Sequence, residues 1–342
     1  YLTTPYFFAI SESSDLTFSP RFYNDQKNIY QGEYRKVTKK TNHIFDASVR
    51  NDNPFISKKN TSETHFFSKS TIETNFELFD YSKIDLQFQN VSNDKYLKTH
   101  NVQSPIINSN STLISKIEFE GSKDDLEFYI DAEMYEDLTK KNDSDKYEFV
   151  FPNFNLSKIL NTKLNGTMEI TSNGYNKLFQ TNINEKIIIN DLRYKSLNSI
   201  NQLGMVNNFE FLVKNFNAES KNSKTLKNRS ENSIRSIFQI NSKLPMQKKG
   251  KKYSTTVTPI IVGKFNPHHN KDISNVNRMV DYTNIYSIDR IGSSDVIEGG
   301  ESLTLGNEFK LFSKDDLSNE LLSINLASSF RAKENFDLPK NS

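Results

Sequence analysis

Apolar and polar side chains alternate along residues 70–90. In STIETNFELF (70–79), Ile72, Thr74, Phe76 and Leu78 share one parity, and Glu73, Asn75 and Glu77 the other. Successive side chains of a strand point to opposite faces, so this pattern predicts a strand with one apolar and one polar face. After the turn DYSK, the stretch IDLQFQN sets Ile84, Leu86 and Phe88 against Asp85, Gln87 and Gln89, which predicts a hairpin. The pattern returns in LISKIEFEGSKDDLEFYIDAEMY (113–135). There Leu113, Ile117 and Phe119 oppose Lys116 and Glu118, and beyond the turn GSKDD, Leu126, Phe128, Ile130, Ala132 and Met134 oppose Glu127, Asp131 and Glu133.

Further strands are expected at about 147–156, 163–171, 177–183, 187–195, 209–217, 233–242, 253–263, 286–292 and 302–312. The opening TPYFFAISESSDLTFSPRFYND (4–25) reads as two short strands around a polar turn, one carrying Pro5 and the other Pro20. Proline cannot donate to a ladder and is confined to edges, first residues and bulges, so two in adjacent strands mark a weak pairing. One stretch, SKDDLSNELLSI (313–324), can be read with a helical period. The separators at 91–110, 218–232 and 266–280 are rich in Asn, Ser, Lys and Asp and read as solvated loops. No repeat of about 20 to 50 residues is present, which argues against solenoids and propellers.

Composition sharpens this picture. The chain is 35% hydrophobic with mean hydropathy −0.67, low for a packed soluble domain, yet its 26 Phe and 15 Tyr are unlike a disordered chain. Basic and acidic residues number 44 and 42 and are interspersed, so no uniform field points to nucleic acid. The absence of cysteine removes disulfides and thiolate chemistry. No run approaches the roughly 18 to 20 apolar residues of a membrane helix. The chain starts at Tyr1 and ends in ENFDLPKNS without a terminal strand signal, and it reads as a piece of a longer protein.

Two architectures give many alternating strands. A soluble sandwich turns its apolar face inward, whereas a membrane barrel turns it to lipid and keeps polar side chains toward an aqueous lumen. The crowded acidic and amide-rich face suits a wet lumen better than a two-layer core, and segments of about 9 to 11 residues suit tilted barrel strands. The fold expected is therefore all-β, a large antiparallel transmembrane β-barrel that is incomplete in residues 1–342. The short turns leave its orientation open. The alternatives are a porin-like or uptake barrel and a soluble β-rich binding module.

The segment TPYFFAISESSDLTFSPRFYNDQKNIYQGEYRK (4–36) resembles the start of the barrel domain in the LptD family of outer-membrane lipopolysaccharide-assembly proteins. The resemblance rests on Pro5-Tyr6-Phe7-Phe8, Asp15, Ser19-Pro20-Arg21 and Gln31-Gly32-Glu33-Tyr34-Arg35. A second stretch, YSTTVTPIIVGKFNPHHN (253–270) followed by YTNIYSIDRIGSSDVIEGGESLTLG (282–306), is similar to a family segment built around an Asp-Arg pair, here Asp289-Arg290 with Glu298-Gly299-Gly300 downstream. The resemblance implies a Gram-negative outer-membrane translocon and no enzyme. Lipopolysaccharide would reach it over a periplasmic LptA-type bridge and an upstream jellyroll, enter a barrel plugged by an LptE-like lipoprotein, and leave among outer-membrane lipids between the first and last strands. The jellyroll would precede Tyr1 and the closing strands follow Ser342. It also makes Pro5 and Pro20 a lateral gate, since each deletes a ladder donor beside the seam. The resemblance would also imply disulfides that tie the two domains together, for which residues 1–342 supply no cysteine.

Other chemistry has weaker claims. His268-His269 lacks the carboxylate spacing of a metal site. Asp289-Arg290 suits a structural salt bridge or loop anchor better than anion binding, and Glu298-Gly299-Gly300 a tight turn or bulge. None of His43, His65, His100, His268 and His269 lies in a nucleophile motif. No cofactor is expected.

Overall fold

The computed structural model describes residues 1–24, 27–50, 62–269, 272–275, 277–292, 295–313 and 319–339. Among them the fold is all-β and antiparallel, with 19 strands and 3% helix, as the alternation predicts. In chain order the elements are β1 Leu2–Thr3, β2 Tyr6–Ser11, β3 Ser14–Phe22, β4 Ile29–Val37, β5 Thr41–Arg50, β6 Glu63–Thr74, β7 Tyr81–Val91, α1 Tyr96–His100, β8 Thr112–Lys123, β9 Leu126–Asp137, α2 Asp143–Lys146, β10 Tyr147–Leu160, β11 Gly166–Phe179, β12 Ile183–Ser196, β13 Ser199–Ile200, β14 Val206–Lys221, β15 Glu231–Lys243, β16 Met246–Lys249, β17 Tyr253–Asn266, β18 Gly300–Ser313 and β19 Glu320–Arg331. The chain divides into two compact units: Tyr1–Leu156 with Asn173–Ile188 and Ala218–Ser230, and Ser157–Ser172 with Ile189–Asn217 and Glu231–Ser342.

In the first unit each strand from β2 to β9 pairs with the next. The register lines up like with like. Ile72, Ile84, Phe119 and Ile130 form one row across β6 to β9, and the neighbouring row is Thr71, Asp85, Glu118 and Asp131. Such cross-strand pairs each contribute about 0.2–1 kcal/mol. Burial is inverted relative to a soluble sandwich: Phe66, Phe88 and Ile117 are 45%, 46% and 54% exposed, whereas Asp46 and Gln89 are 0% and 3% exposed. An exposed apolar face of this extent needs a non-aqueous neighbour.

In the second unit β17 pairs with β15, β16 and β18, and β18 with β19. Here too the faces segregate. Val257, Phe309 and Ile324 form an apolar row, and Thr258, Glu308 and Asn325 the polar row beside it.

The N-terminal edge is interrupted at Pro5, which separates β1 from β2; both pair with β3. The Thr4 N–H donates to the Pro20 carbonyl at 3.3 Å. In an antiparallel ladder a residue turns its N–H and C=O to the same neighbour. Pro20 therefore removes a donor from the pairing of β3 with the first strand. Pro5, one residue beyond Thr4, removes a donor from the opposite side of that strand.

Several expectations are corrected. Phe76 and Leu78 belong to a turn, because β6 ends at Thr74; Phe76 packs edge-on against Phe119, with centroids 5.7 Å apart. The break expected near 172–176 does not occur, since β11 runs unbroken from Gly166 to Phe179. No strand forms at 286–292, which lies in the long connection between β17 and β18 and turns its apolar side chains into local clusters. The helical reading of 313–324 fails. Leu322 and Ile324 pair opposite Leu311 and Phe309 at strand spacing, and residues 314–318 lie outside the described residues. Strand β5 was not expected, since its polar face carries Asp46 and Ser48 and its apolar signal is faint.

Candidate functional site

In each unit a long connection covers part of the polar face. In the first it is 92–111, between β7 and β8. Its single helical turn α1 ends at Asn101, which adopts a left-handed conformation with φ 46°. Tyr96, Leu97, Val102 and Ile106 are buried with Phe67 in one apolar cluster. Strand side chains fix the segment's backbone: Gln31 Nε2 donates to the Gln103 carbonyl at 2.8 Å, Gln89 Nε2 to the Ile106 carbonyl at 3.1 Å, and the Arg21 guanidinium to the His100 carbonyl. Burial pushes the His100 imidazole below its usual range, and the nearby Arg50 charge adds to this.

Beneath Tyr96 lies a polar relay that the sequence did not single out. The Tyr96 hydroxyl is 2.7 Å from Ser48 Oγ, which is 2.6 Å from His65 Nδ1. His65 Nε2 is 3.2 Å from Asp46 Oδ1 but is not aligned for a hydrogen bond, and Gln31 Nε2 donates to both Asp46 oxygens at 3.0 and 3.1 Å. Serine, histidine and aspartate in line resemble a hydrolytic relay. All three are buried, however, and Ser48 Oγ is already engaged by the Tyr96 hydroxyl. The arrangement anchors the covering segment. Its sequence signal was the apolar set Tyr96, Leu97, Val102, Ile106 inside an otherwise polar stretch.

Beside this segment is a polar hollow of about 450 Å³, lined by Lys83, Asp85, Gln87, Asn108, Lys116 and Glu133 among others. Lys83 pairs with Glu120 at 2.8 Å and Lys116 with Glu118 at 2.6 Å. Paired charges and amides of this kind offer hydrogen bonds to a hydrated, polyhydroxylated surface and little to an apolar one.

In the second unit the covering segment is 267–299. Arg290 Nε donates to Glu298 Oε2 at 2.7 Å, and its Nη2 donates to Oε1 and, at 3.1 Å, to Ser302 Oγ. Its Nη1 donates to Ser329 Oγ, and Arg331 Nη2 reaches Glu298 Oε1 at 3.0 Å. The segment is thereby fixed to β18 and β19. Burial works to raise the Glu298 carboxyl, but the Arg290 guanidinium overcomes it and holds the group below the usual carboxylate range. Asp289 does not pair with its neighbour; it accepts the Gly292 N–H at 3.1 Å, and burial pushes its carboxyl up. Tyr286 lies on the backbone of Gly306, where any Cβ would strike its ring. Gly300 opens β18 at φ 87°, a conformation that L side chains rarely adopt. Gly299 is buried between Glu298 and Gly300.

The remaining motif positions sit on β4. Gly32 lies between Phe18 and Ala47 on the apolar face, and Tyr34 stacks on Phe45 at 6.4 Å. On the polar face Arg35 bonds Asp15 at 2.9 Å and lies 3.6 Å from Glu33. Gln31 is thus joined to the first covering segment, and Arg290 and Glu298 to each other, while Glu33 and Arg35 face the polar side beside Asp15.

No curated protein matches the chain. The sequence model of the LptD family does, over residues 68–341, a span that includes Asp289, Arg290 and Glu298 and begins beyond Pro5, Pro20 and the Gln31–Arg35 motif. With most of its length matched and an all-β sheet whose apolar face is exposed, the chain belongs to the LptD family, LPS transport system D.

Proposed function

We propose that the chain is the wall of an outer-membrane translocon that inserts lipopolysaccharide into the outer leaflet, its polar face passing the sugars and a lateral seam at the first strand releasing the acyl chains. The observation that carries this reading is the inverted burial of the strands: Phe88 and Ile117 are exposed while Asp46 and Gln89 are covered. A lipid with a large hydrophilic head needs both surfaces along one path. Pro5 and Pro20 serve as the gate in this reading, because their missing donors lie on the two sides of the first strand. An LptE-like lipoprotein would stand against the polar face, and an LptA-type bridge would deliver lipid to an upstream jellyroll.

The test is conditional depletion of the full-length protein in its host. Newly made lipopolysaccharide should disappear from the cell surface and accumulate inside. Normal surface delivery with impaired entry of small solutes would favour an uptake barrel. A full-length protein that stays soluble without detergent would favour a soluble binding module.

A further inference from the structure

Ile240, Gly263, Leu303 and Phe330 face one another in a single row across β15, β17, β18 and β19, on the apolar face. The second position of that row has no side chain, and a Cβ placed there meets nothing within 4 Å. The gap opens a groove of about 540 Å³ walled by Phe238, Ile240, Phe265, Leu303 and Phe330. At its Glu301 end the groove adjoins a second hollow of about 440 Å³, which shares Phe265, Glu301, Arg331 and Ala332 with it. There the lining turns polar and carries both signs of charge, with Lys333 near Glu301 and Glu334.

We propose that these adjoining hollows bind one zwitterionic phospholipid, an acyl chain lying in the Gly263 groove and a headgroup bearing phosphate and ammonium in the polar hollow. The inference rests on the reading that the apolar face meets a bilayer. An acyl chain suits a groove walled mainly by the apolar side chains of Phe238, Ile240, Phe265, Leu303 and Phe330. A headgroup with both charges suits a lining that sets Arg331 and Lys333 among Glu301, Glu334 and Asp337, whereas a purely anionic one would meet the three carboxylates unfavourably. No strain or contact demands glycine at 263, so filling the groove leaves the strand intact.

The experiment places the full-length protein in lipid nanodiscs containing phosphatidylethanolamine with a photoreactive acyl chain, and maps the labelled peptides. Wild type should be labelled most strongly on β17 and β18. Gly263→Leu should lower that labelling about tenfold, the effect of displacing two buried methylenes, and leave the apolar face of β6 to β8 unchanged. Lys333→Gln should lower it less, and a phosphatidylglycerol probe of the same chain should label the groove more weakly. Labelling spread evenly over the apolar face and indifferent to both variants, or equal for the two headgroups, would overturn the site. Failure to enter nanodiscs, with no labelling even at β6 to β8, would instead overturn the membrane reading beneath it.

Discussion

The Arg290 guanidinium meets the Glu298 carboxylate side-on, with Nε to Oε2 at 2.7 Å and both side chains almost fully buried. Eight residues apart in sequence, they close the connection between β17 and β18 on itself and hold it to Ser302 and Ser329 on the strands.

Removing one partner of a buried ion pair strands the other, at a cost of about 3–5 kcal/mol. Glu298→Gln should therefore free the 267–299 segment while sparing β6 to β8, read as new protease cleavage confined to that segment in detergent micelles. The depressed Glu298 carboxyl gives the effect a pH dependence. Its stabilisation is fully present above the unfolded value of about 4.3, declines below it, and is gone once pH falls through the folded value. Wild type in acid should acquire the protease sensitivity that Glu298→Gln shows at neutral pH.

Tyr96 secures the other covering segment by two separable means. Tyr96→Phe keeps the ring among Leu97 and Phe67 and loses only the hydroxyl contact with Ser48, about 0.5–1.5 kcal/mol. Tyr96→Ala also opens a cavity, about 3–5 kcal/mol. Hydrogen exchange of residues 92–111 should rise modestly in the first variant and strongly in the second. Equal exchange in both would place the anchoring in the polar relay alone.

Faces of one strand should respond oppositely to charge. Ile324→Arg puts a cation on the apolar face of β19, costing about 2–4 kcal/mol at a bilayer midplane. Asn325→Arg puts it on the polar face opposite Glu308 and should be nearly neutral. The yield of heat-modifiable, membrane-inserted protein measures the difference.

Pro5 and Pro20 are predicted to act on different ladders. Pro20→Ala restores a donor between the first strand and β3, and Pro5→Ala restores one on the strand's other side. The double variant should slow lipopolysaccharide export in the full-length protein, with Pro5→Ala giving the larger share if that side is the seam. Unchanged surface delivery in the double variant would remove the gate.

Strand faces were legible in the sequence because a period of two needs only local parity. Ile84, Leu86 and Phe88 against Asp85, Gln87 and Gln89 sit on the faces their spacing requires. The covering segments were not legible, because their apolar residues follow no period. Tyr96 and Leu97, or Ile288, find partners only after distant strands have assembled beneath them, and Ile291 packs on Ile273, Val296 and Leu338 outside any strand. The same holds for the relay of Asp46, Ser48 and His65, which lie on two strands and meet through the register of β5 with β6. Arg290 and Glu298 were marked by resemblance, and their mutual pairing is set by the fold of the connection.

In the proposed function lipopolysaccharide travels along the polar face. A photoreactive residue at Gln87, beside the hollow lined by Lys83, Asp85 and Lys116, reports on that path in living cells, and one at Phe88 reports on the opposite face of the same strand. Lipopolysaccharide adducts are expected at position 87 and should vanish when cellular energy is withdrawn. A protein correctly inserted in the outer membrane that gives no adduct at position 87 while export proceeds would contradict it.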